Sequence, residues 1–247
     1  SGGGTHAKVM RGASLLAAAQ IPFSVIAVVT RQTLSHADAF YDFFRDHAIS
    51  RVALNVEEVE LFNARSTLGR ETARQYQRFL ERLFQRSLEE GEVDFRELAV
   101  VRNAIAAGAQ DGRRSGQLIR PFATTTCDHA GNIFTFSPEL AGASSAEYGD
   151  FIVGNVHRQG FDEMLYSPAM MQMLKDIHAG IDRCAASCGH FSLCRGGTPG
   201  NKFFENGSFD STETAYCLHS RQAVADAALA VLERVVFGQP APDRQAS

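Results

Sequence analysis

The sequence predicts an α/β protein. Helical and strand-like patterns alternate through its first half with connections of a few residues, which implies parallel strands in an α/β sheet or barrel. The second half changes texture, to a hairpin, a cysteine-rich stretch and a terminal helix. With 247 residues, 45% of them hydrophobic, the chain has material for one large domain or two small ones.

The elements follow in chain order. Thr5 to Gln20 reads as a helix, and Ile21 to Thr30, rich in Val and Ile, as a buried strand. Ser35 with Asp38 at the capping-box distance opens the next helix, on which Phe40, Phe43, Phe44 and His47 recur at helical spacing. Ser50 to Val56 is a second strand. Thr67 to Glu90 is a long charged helix ending at Gly91, and Phe95 to Ala107 is another. The loop from Gly108 to Gly116 marks a domain boundary, which places one unit at 1–115 and a second at 116–238. Phe122 to Thr126 and Asn132 to Phe136 form a hairpin around Asp128 to Gly131, and Ser137 to Gly154 is irregular. Ser167-Pro168 starts a helix in the favoured order of cap and then proline. Ile181 to Tyr216 reads mostly as loop. Leu218 to Val236 is an amphipathic helix with Val224, Ala228, Val231, Leu232 and Val235 on one face, and residues 239–247 form a frayed, disordered tail.

A formal net charge of -4 gives no basic excess for nucleic acid. No apolar run reaches the length of a membrane span, and the N-terminus lacks the pattern of a secretion signal, so a cytoplasmic location is expected. The chain also starts without Met and reads as a fragment.

Five cysteines occur, four of them as Cys184-x3-Cys188-x5-Cys194-x22-Cys217. Without a secretion signal, such clustering favours a metal. Iron–sulfur centres need converging thiolates, and Gly189, Gly196, Gly197 and Gly200 let backbone pass close to such a centre. Spacing alone leaves a four-thiolate zinc or two disulfides open beside it. Cys127 stands apart on a predicted strand and reads as a small core residue. His129 and His190 are further possible ligands, although a lone loop histidine is more often only exposed.

The segment Cys184-Ala-Ala-Ser-Cys188-Gly-His-Phe-Ser-Leu-Cys194-Arg-Gly-Gly resembles the core of a SPASM domain, the cluster-bearing extension of many radical SAM peptide maturases. The segment Asn201-Lys-Phe-Phe-Glu-Asn-Gly through Tyr216-Cys217 is similar to a narrower group, the cyclophane-forming maturases of the GrrM/OscB type. So are Phe136-Ser-Pro-Glu-Leu140, Tyr148-Gly-Asp-Phe-Ile-Val-Gly-Asn-Val156 and Asn55-Val-Glu-Glu58. The resemblance runs from Gly4 to the terminal helix.

It implies a partial (β/α)6 radical SAM barrel followed by a SPASM iron–sulfur domain with a β-hairpin, a cysteine-rich loop and a terminal helix. In such enzymes a three-cysteine [4Fe-4S] cluster cleaves S-adenosylmethionine. The radical so formed abstracts hydrogen from a ribosomally made precursor peptide, and a carbon–carbon crosslink follows. This chain departs from the pattern twice. No cysteine precedes Cys127, so the CxxxCxxC motif is missing, and only two barrel strands precede the boundary. The chain therefore resembles the last part of the barrel plus the SPASM domain. S-adenosylmethionine and the radical-generating cluster belong to the full-length enzyme alone. Two cysteines of the family's first auxiliary cluster are replaced, by Phe136 and Thr198. The retained Cys184, Cys188, Cys194 and Cys217 match the second, which implies one [4Fe-4S] cluster. The alternative is a noncatalytic iron–sulfur or zinc-binding module that engages a peptide.

Active sites of β/α barrels form at the C-terminal ends of strands. Thr30 and Asn55 stand there, with Glu57 and Glu58 in the same loop, and the first three are candidates for contact with S-adenosylmethionine. Glu139, Asn155 and Asn201 lie in the phrases shared with the maturases and are candidates for shaping a peptide channel. Ser211, Thr212, Glu213 and Thr214 precede the last cysteine as a polar turn whose hydroxyls can donate to cluster sulfurs.

Overall fold

The protein is described by a computed structural model that covers residues 4–107 and 119–238. The expected domain boundary at residue 115 and the expected tail at 239–247 lie outside the described residues.

A first helix, α1 (His6–Ala18), leads into β1 (Val25–Val29); α2 (Ala37–Asp46) then crosses to β2 (Arg51–Val56). The two strands are parallel, with Val28 opposite Asn55 and Val29 opposite Val56. A crossover helix is what joins neighbouring parallel strands. The long helix α3 (Ala73–Glu90) ends at Gly91, whose φ of +70° supplies the left-handed stop. It is followed by β3 (Asp94–Phe95), parallel to β2, and α4 (Arg96–Ala107). The sheet order is β1-β2-β3.

This half differs from expectation in several details: the sheet has a third short strand, β3, beyond the two expected, and α3 starts at Ala73 rather than Thr67. Helix α2 is capped by His36, because Ser35 closes a 3-10 turn over Arg31–Ser35. Strand β1 is buried on one face only: Val29 is fully buried, whereas Ile26 and Val28 are 63% and 60% exposed. Side chains alternate across a strand, and the helices cover just one side of this sheet. Parallel sheets are ordinarily covered on both faces. Asn55, paired with Val28, shares the open face.

The second half begins with the expected hairpin, β4 (Thr125–Cys127) antiparallel to β5 (Asn132–Thr135), extended by β6 (Gly154–Asn155). Helix α5 (Phe161–Leu165) precedes α6 (Pro168–Ser187), where the Ser167 hydroxyl accepts from the Met170 N–H as the cap reading requires. From Ile181 to Tyr216 the chain is far more helical than expected. Helix α6 runs through Cys184, and α7 (Phe191–Cys194), α8 (Pro199–Asn206) and α9 (Ala215–Cys217) follow. A π-helical turn over Leu218–Ala223 then opens into α10 (Val224–Phe237). On α10, Val224, Ala228 and Val231 are buried as expected, but Val235 is 62% exposed.

Two apolar clusters form. In the first, Val52, Leu54 and Val56 of β2 meet Leu80, Leu83 and Phe84 of α3, and Ala227, Ala228 and Val231 of α10 close it. The second packs Phe134 and Phe136 against Met170, Met173 and Ile177 of α6, with Tyr148, Phe151 and Phe209 at its centre. The Tyr148 and Phe209 rings are 4.7 Å apart. The C-terminal helix thus returns to the first cluster after the chain has built the second. Among the described residues no helix is long and apolar enough to cross a membrane.

Candidate metal centre

Three elements bring the four clustered cysteines to one pocket. Cys184 sits in the last turn of α6 and Cys188 caps its end. Cys194 closes α7. Beyond it Arg195, Gly196 and Gly197 all take positive φ, at 60°, 104° and 81°, and reverse the chain toward α8. A side chain at Gly196 would lie 2.7 Å from Ile181, so this passage needs glycine. Cys217 ends α9, whose start is held twice: the Thr214 hydroxyl accepts from the Cys217 N–H at 3.0 Å, and the Glu205 carboxylate accepts from the N–H groups of Ala215 and Tyr216. Cys184, Cys188, Cys194 and Cys217 line this pocket with Gly196, Gly197, Thr198, Thr212 and Thr214.

The donor set fits an iron–sulfur cluster. All four cysteines are free, so no disulfide competes for them. Burial above all, and the nearby Cys194 and Cys188 thiolates with it, push the Cys217 thiol up to about 11, against donation from Gln222. The sulfurs of Cys188, Cys194 and Cys217 are therefore electrostatic neighbours. Yet among the described residues no three His, Cys, Asp or Glu side chains gather closely enough for a single metal ion. Two N–H donors point at the sulfurs: Lys202 Nζ lies 3.6 Å from Cys184 Sγ, and Gln222 Nε2 3.6 Å from Cys217 Sγ.

The other candidates divide. Cys127 is exposed on β4, away from this pocket, so the core reading of it does not hold; a short edge strand leaves its thiol in solvent. His129 is exposed. His190 is not simply exposed, since Nε2 meets Asp226 Oδ1 at 2.7 Å and ties α7 to α10. Thr212 and Thr214 line the pocket, whereas Glu213 pairs with Arg70 at 2.5 Å and the Ser211 hydroxyl accepts from Asn206. Phe136, at a position where the resembling family has a cysteine, is 1% exposed in the second apolar cluster, while Thr198 lines the pocket.

Thr30, Asn55 and Glu57 stand at the ends of β1 and β2 as the sequence places them. Thr30 and Thr33 cap each other's turn, and Glu57 accepts from the N–H and hydroxyl of Thr67. The Asn55 side-chain oxygen accepts from Arg96 at 3.1 Å. Asn55 and Arg96 line a polar pocket, and Tyr216 and Arg221 line both that pocket and the cysteine pocket. The two are thus neighbours.

Asn201, 6% exposed, donates to Glu58 at 2.8 Å and pins α8 to the loop after β2. Burial, with the carboxylates of Glu60, Glu139 and Glu205 adding to it, holds the Glu58 carboxyl above its ordinary range despite that hydrogen bond. Glu139 accepts from the Ser137 hydroxyl, and Asn155 stitches the hairpin through Ala130 and Asn132. Lys202, Glu205, Gln222, Tyr216 and Arg221 were not singled out in the sequence. Reading Ile181 to Tyr216 as loop hid the helical faces that bring the first two inward. The four-residue spacing of Asn201 and Glu205, from a Thr-Pro start to a Gly stop, is the signal for α8.

No family model matches the chain. Over 235 residues it is 40% identical to the uncharacterized protein sll1766 of Synechocystis sp., an alignment that covers 94% of this chain and 58% of that protein. The chain thus spans well under two thirds of that relative's length. Its fold resembles anSMEcpe with bound AdoMet, at a TM-score of 0.62 and 18% identity over 95% of this chain and 62% of the other. It also resembles anSMEcpe with bound AdoMet and Cp18Cys peptide, at 0.59 and 19%, covering 95% and 63%. The chain therefore has the α/β fold that is found in anSMEcpe.

Proposed function

We propose that the chain is the C-terminal part of a radical SAM/SPASM peptide maturase of the GrrM/OscB type. In this reading the whole protein forms carbon–carbon crosslinks, cyclophanes, in a ribosomally made precursor peptide. Residues up to about 115 continue a partial (β/α)6 barrel, and residues 116–238 form the SPASM domain. The observation that carries the reading is the meeting of Cys184, Cys188, Cys194 and Cys217 at one pocket. The fold shared with anSMEcpe, whose structures hold AdoMet and a peptide, supports it. So does the open sheet face with Ile26, Val28 and Asn55, which the rest of a barrel would cover.

These four thiolates would hold one [4Fe-4S] cluster, which supplies one-electron transfer and a structural anchor and leaves no iron open to substrate. The chain's own residues divide the remaining work. Thr214 and Glu205 fix the backbone that presents Cys217. Lys202 and Gln222 donate to ligand sulfurs. Asn55 faces the open side of the sheet, where S-adenosylmethionine would lie in the whole enzyme, and Thr30 and Glu57 hold the two adjoining turns. Peptide is the partner of this reading, and neither nucleic acid nor membrane has a part in it.

Anaerobic reconstitution tests the proposal. Brown protein with about four irons and four sulfides per chain is expected. Cys127→Ser should keep its iron and Cys217→Ser should lose most of it. Colourless protein that takes up one zinc would overturn the assignment. Recovery of the neighbouring coding sequence tests the larger claim: a CxxxCxxC segment upstream and a short peptide gene alongside are expected.

A further inference from the structure

We infer that Lys202 is the fixed counter-charge of the four-cysteine centre and sets its reduction potential; this rests on the cluster reading above. Lys202 is 4% exposed, an unusual condition for a lysine, and its Nζ donates to Cys184 Sγ at 3.6 Å. Among the described residues no carboxylate lies within ion-pairing distance of it.

The ammonium is also boxed in. An added Cβ at Gly180 on α6 would lie 3.0 Å from Nζ and 2.5 Å from the Phe209 carbonyl oxygen, so α6 passes directly over the charge. Gly197 of the cysteine loop passes over its stem: a Cβ there would stand 3.8 Å from Cε. The position itself is fixed by α8, which Asn201 anchors to Glu58.

A buried ammonium without an anion is costly. The anion that fits here is the centre itself, since four thiolates around iron and sulfide carry net negative charge. A cation at this place favours the more negative, reduced form and so raises the potential. The step concerned is the uptake of one electron by the cluster from a one-electron reductant, with no bond made or broken and no proton moved. Gln222, the donor on Cys217, is neutral, and Arg221 lines the pocket, but among the described residues Lys202 is the cation that donates to a ligand sulfur.

The test compares reconstituted wild type, Lys202→Met and Lys202→Arg, each as the whole chain. Iron and sulfide are counted, and the midpoint potential is read by EPR during titration with dithionite. Lys202→Arg should keep iron and the wild-type potential. Lys202→Met, similar in size but uncharged, should shift the couple toward the oxidised form at least tenfold, a fall of ~59 mV per tenfold for one electron. Iron lost from Lys202→Met but kept by Lys202→Arg supports the same conclusion, because charge alone then decides retention. A wild-type potential in Lys202→Met overturns the inference. So does equal loss of iron from both variants, which would assign the residue a role of shape. A wild-type chain that binds no iron sinks the cluster reading first, and is thereby told apart.

Discussion

Gly180 lies within α6, where glycine ordinarily costs ~1 kcal/mol relative to alanine. Gly180→Ala would therefore be expected to stabilise by that amount on helix propensity alone. Its surroundings reverse the sign. The added methyl carbon would sit 2.5 Å from the Phe209 carbonyl oxygen and 3.0 Å from those of Ser211 and the Lys202 ammonium. Two of these neighbours are backbone, and cannot swing away as a side chain does. Overpacking costs ~1–3 kcal/mol, and contact with backbone places this case near the upper end. Offsetting ~3 with ~1 kcal/mol of helix gain leaves a net loss of ~2 kcal/mol, or ~4–8 °C in Tm for a chain of this size. The assay is thermal and urea unfolding of the metal-free protein, with Gly12→Ala as the reference. Gly12 lies on α1 with no heavy atom within 4 Å of the added carbon, so that variant should gain up to ~1 kcal/mol. A Gly180→Ala protein that melts at or above the wild-type temperature would refute the reasoning. Iron uptake should fall in the same variant, because Cys184 is one turn along α6 and Lys202 is the group displaced.

Glu58 makes stability depend on pH in a defined direction. Its raised folded-state value means that the folded chain holds the proton more tightly than the unfolded one, so its contribution is intact at low pH and lost as pH rises through that value. Glu58→Gln keeps an acceptor for Asn201 and should melt higher than wild type at neutral pH but level with it below the ordinary carboxylate range; parallel Tm–pH profiles would contradict this. The Arg86 side chain is 8% exposed, bonds Asp42 at 2.8 Å and Glu90 at 2.6 Å, and lies 4.1 Å above the Tyr41 ring. Arg86→Met should cost ~2–3 kcal/mol in urea unfolding, and a loss below ~0.5 kcal/mol would show that water serves these carboxylates equally well. In metal-free protein, alkylation mapped by mass spectrometry should reach exposed Cys127 well before half-buried Cys217, whose labelling should climb as pH approaches about 11. Equal rates at neutral pH would show that the Cys217 thiol is not shielded.

Much of the first half is legible because its signals are local. The Val- and Ile-rich run Val25–Val29, the apolar stretch Val52–Leu54, the Phe spacing on α2, and the Gly91 stop each act over a few residues. The open face of β1 is not legible, since Ile26 and Val28 have the composition of buried residues and only tertiary packing decides which side is covered. The cysteine region has the local signature of a loop for a different reason. Its helices are short, and glycines and polar residues dominate between them. Their stability comes from packing and from cross-chain caps such as Glu205 on α9, which lies ten residues from the N–H that it receives. The cysteines themselves stand out by spacing, whereas Lys202, Glu205 and Gln222 become visible only when α8 and the π-helical turn set their directions.

The placement of Cys217 links the centre to the fold as a whole. Cys184 and Cys188 come from α6 of the second apolar cluster, while Cys194 ends α7, whose Leu193 packs against the first, and Cys217 leads into the helix that closes that first cluster. The π-helical turn after Cys217 is what allows both attachments. It carries Gln222 back to the Cys217 sulfur and buries His219 against Thr72, at 2.9 Å, on the far side. Arg70 to Glu213 and Asn201 to Glu58 add two more ties between the same halves. Occupation of the four thiolates would add a further bond across the junction. Metal binding stabilises whatever arrangement holds its ligands together. Loading the centre should therefore raise the melting temperature of α10 and the first apolar cluster along with the loop. Amide exchange in α10 that is indifferent to iron would separate the centre from the fold.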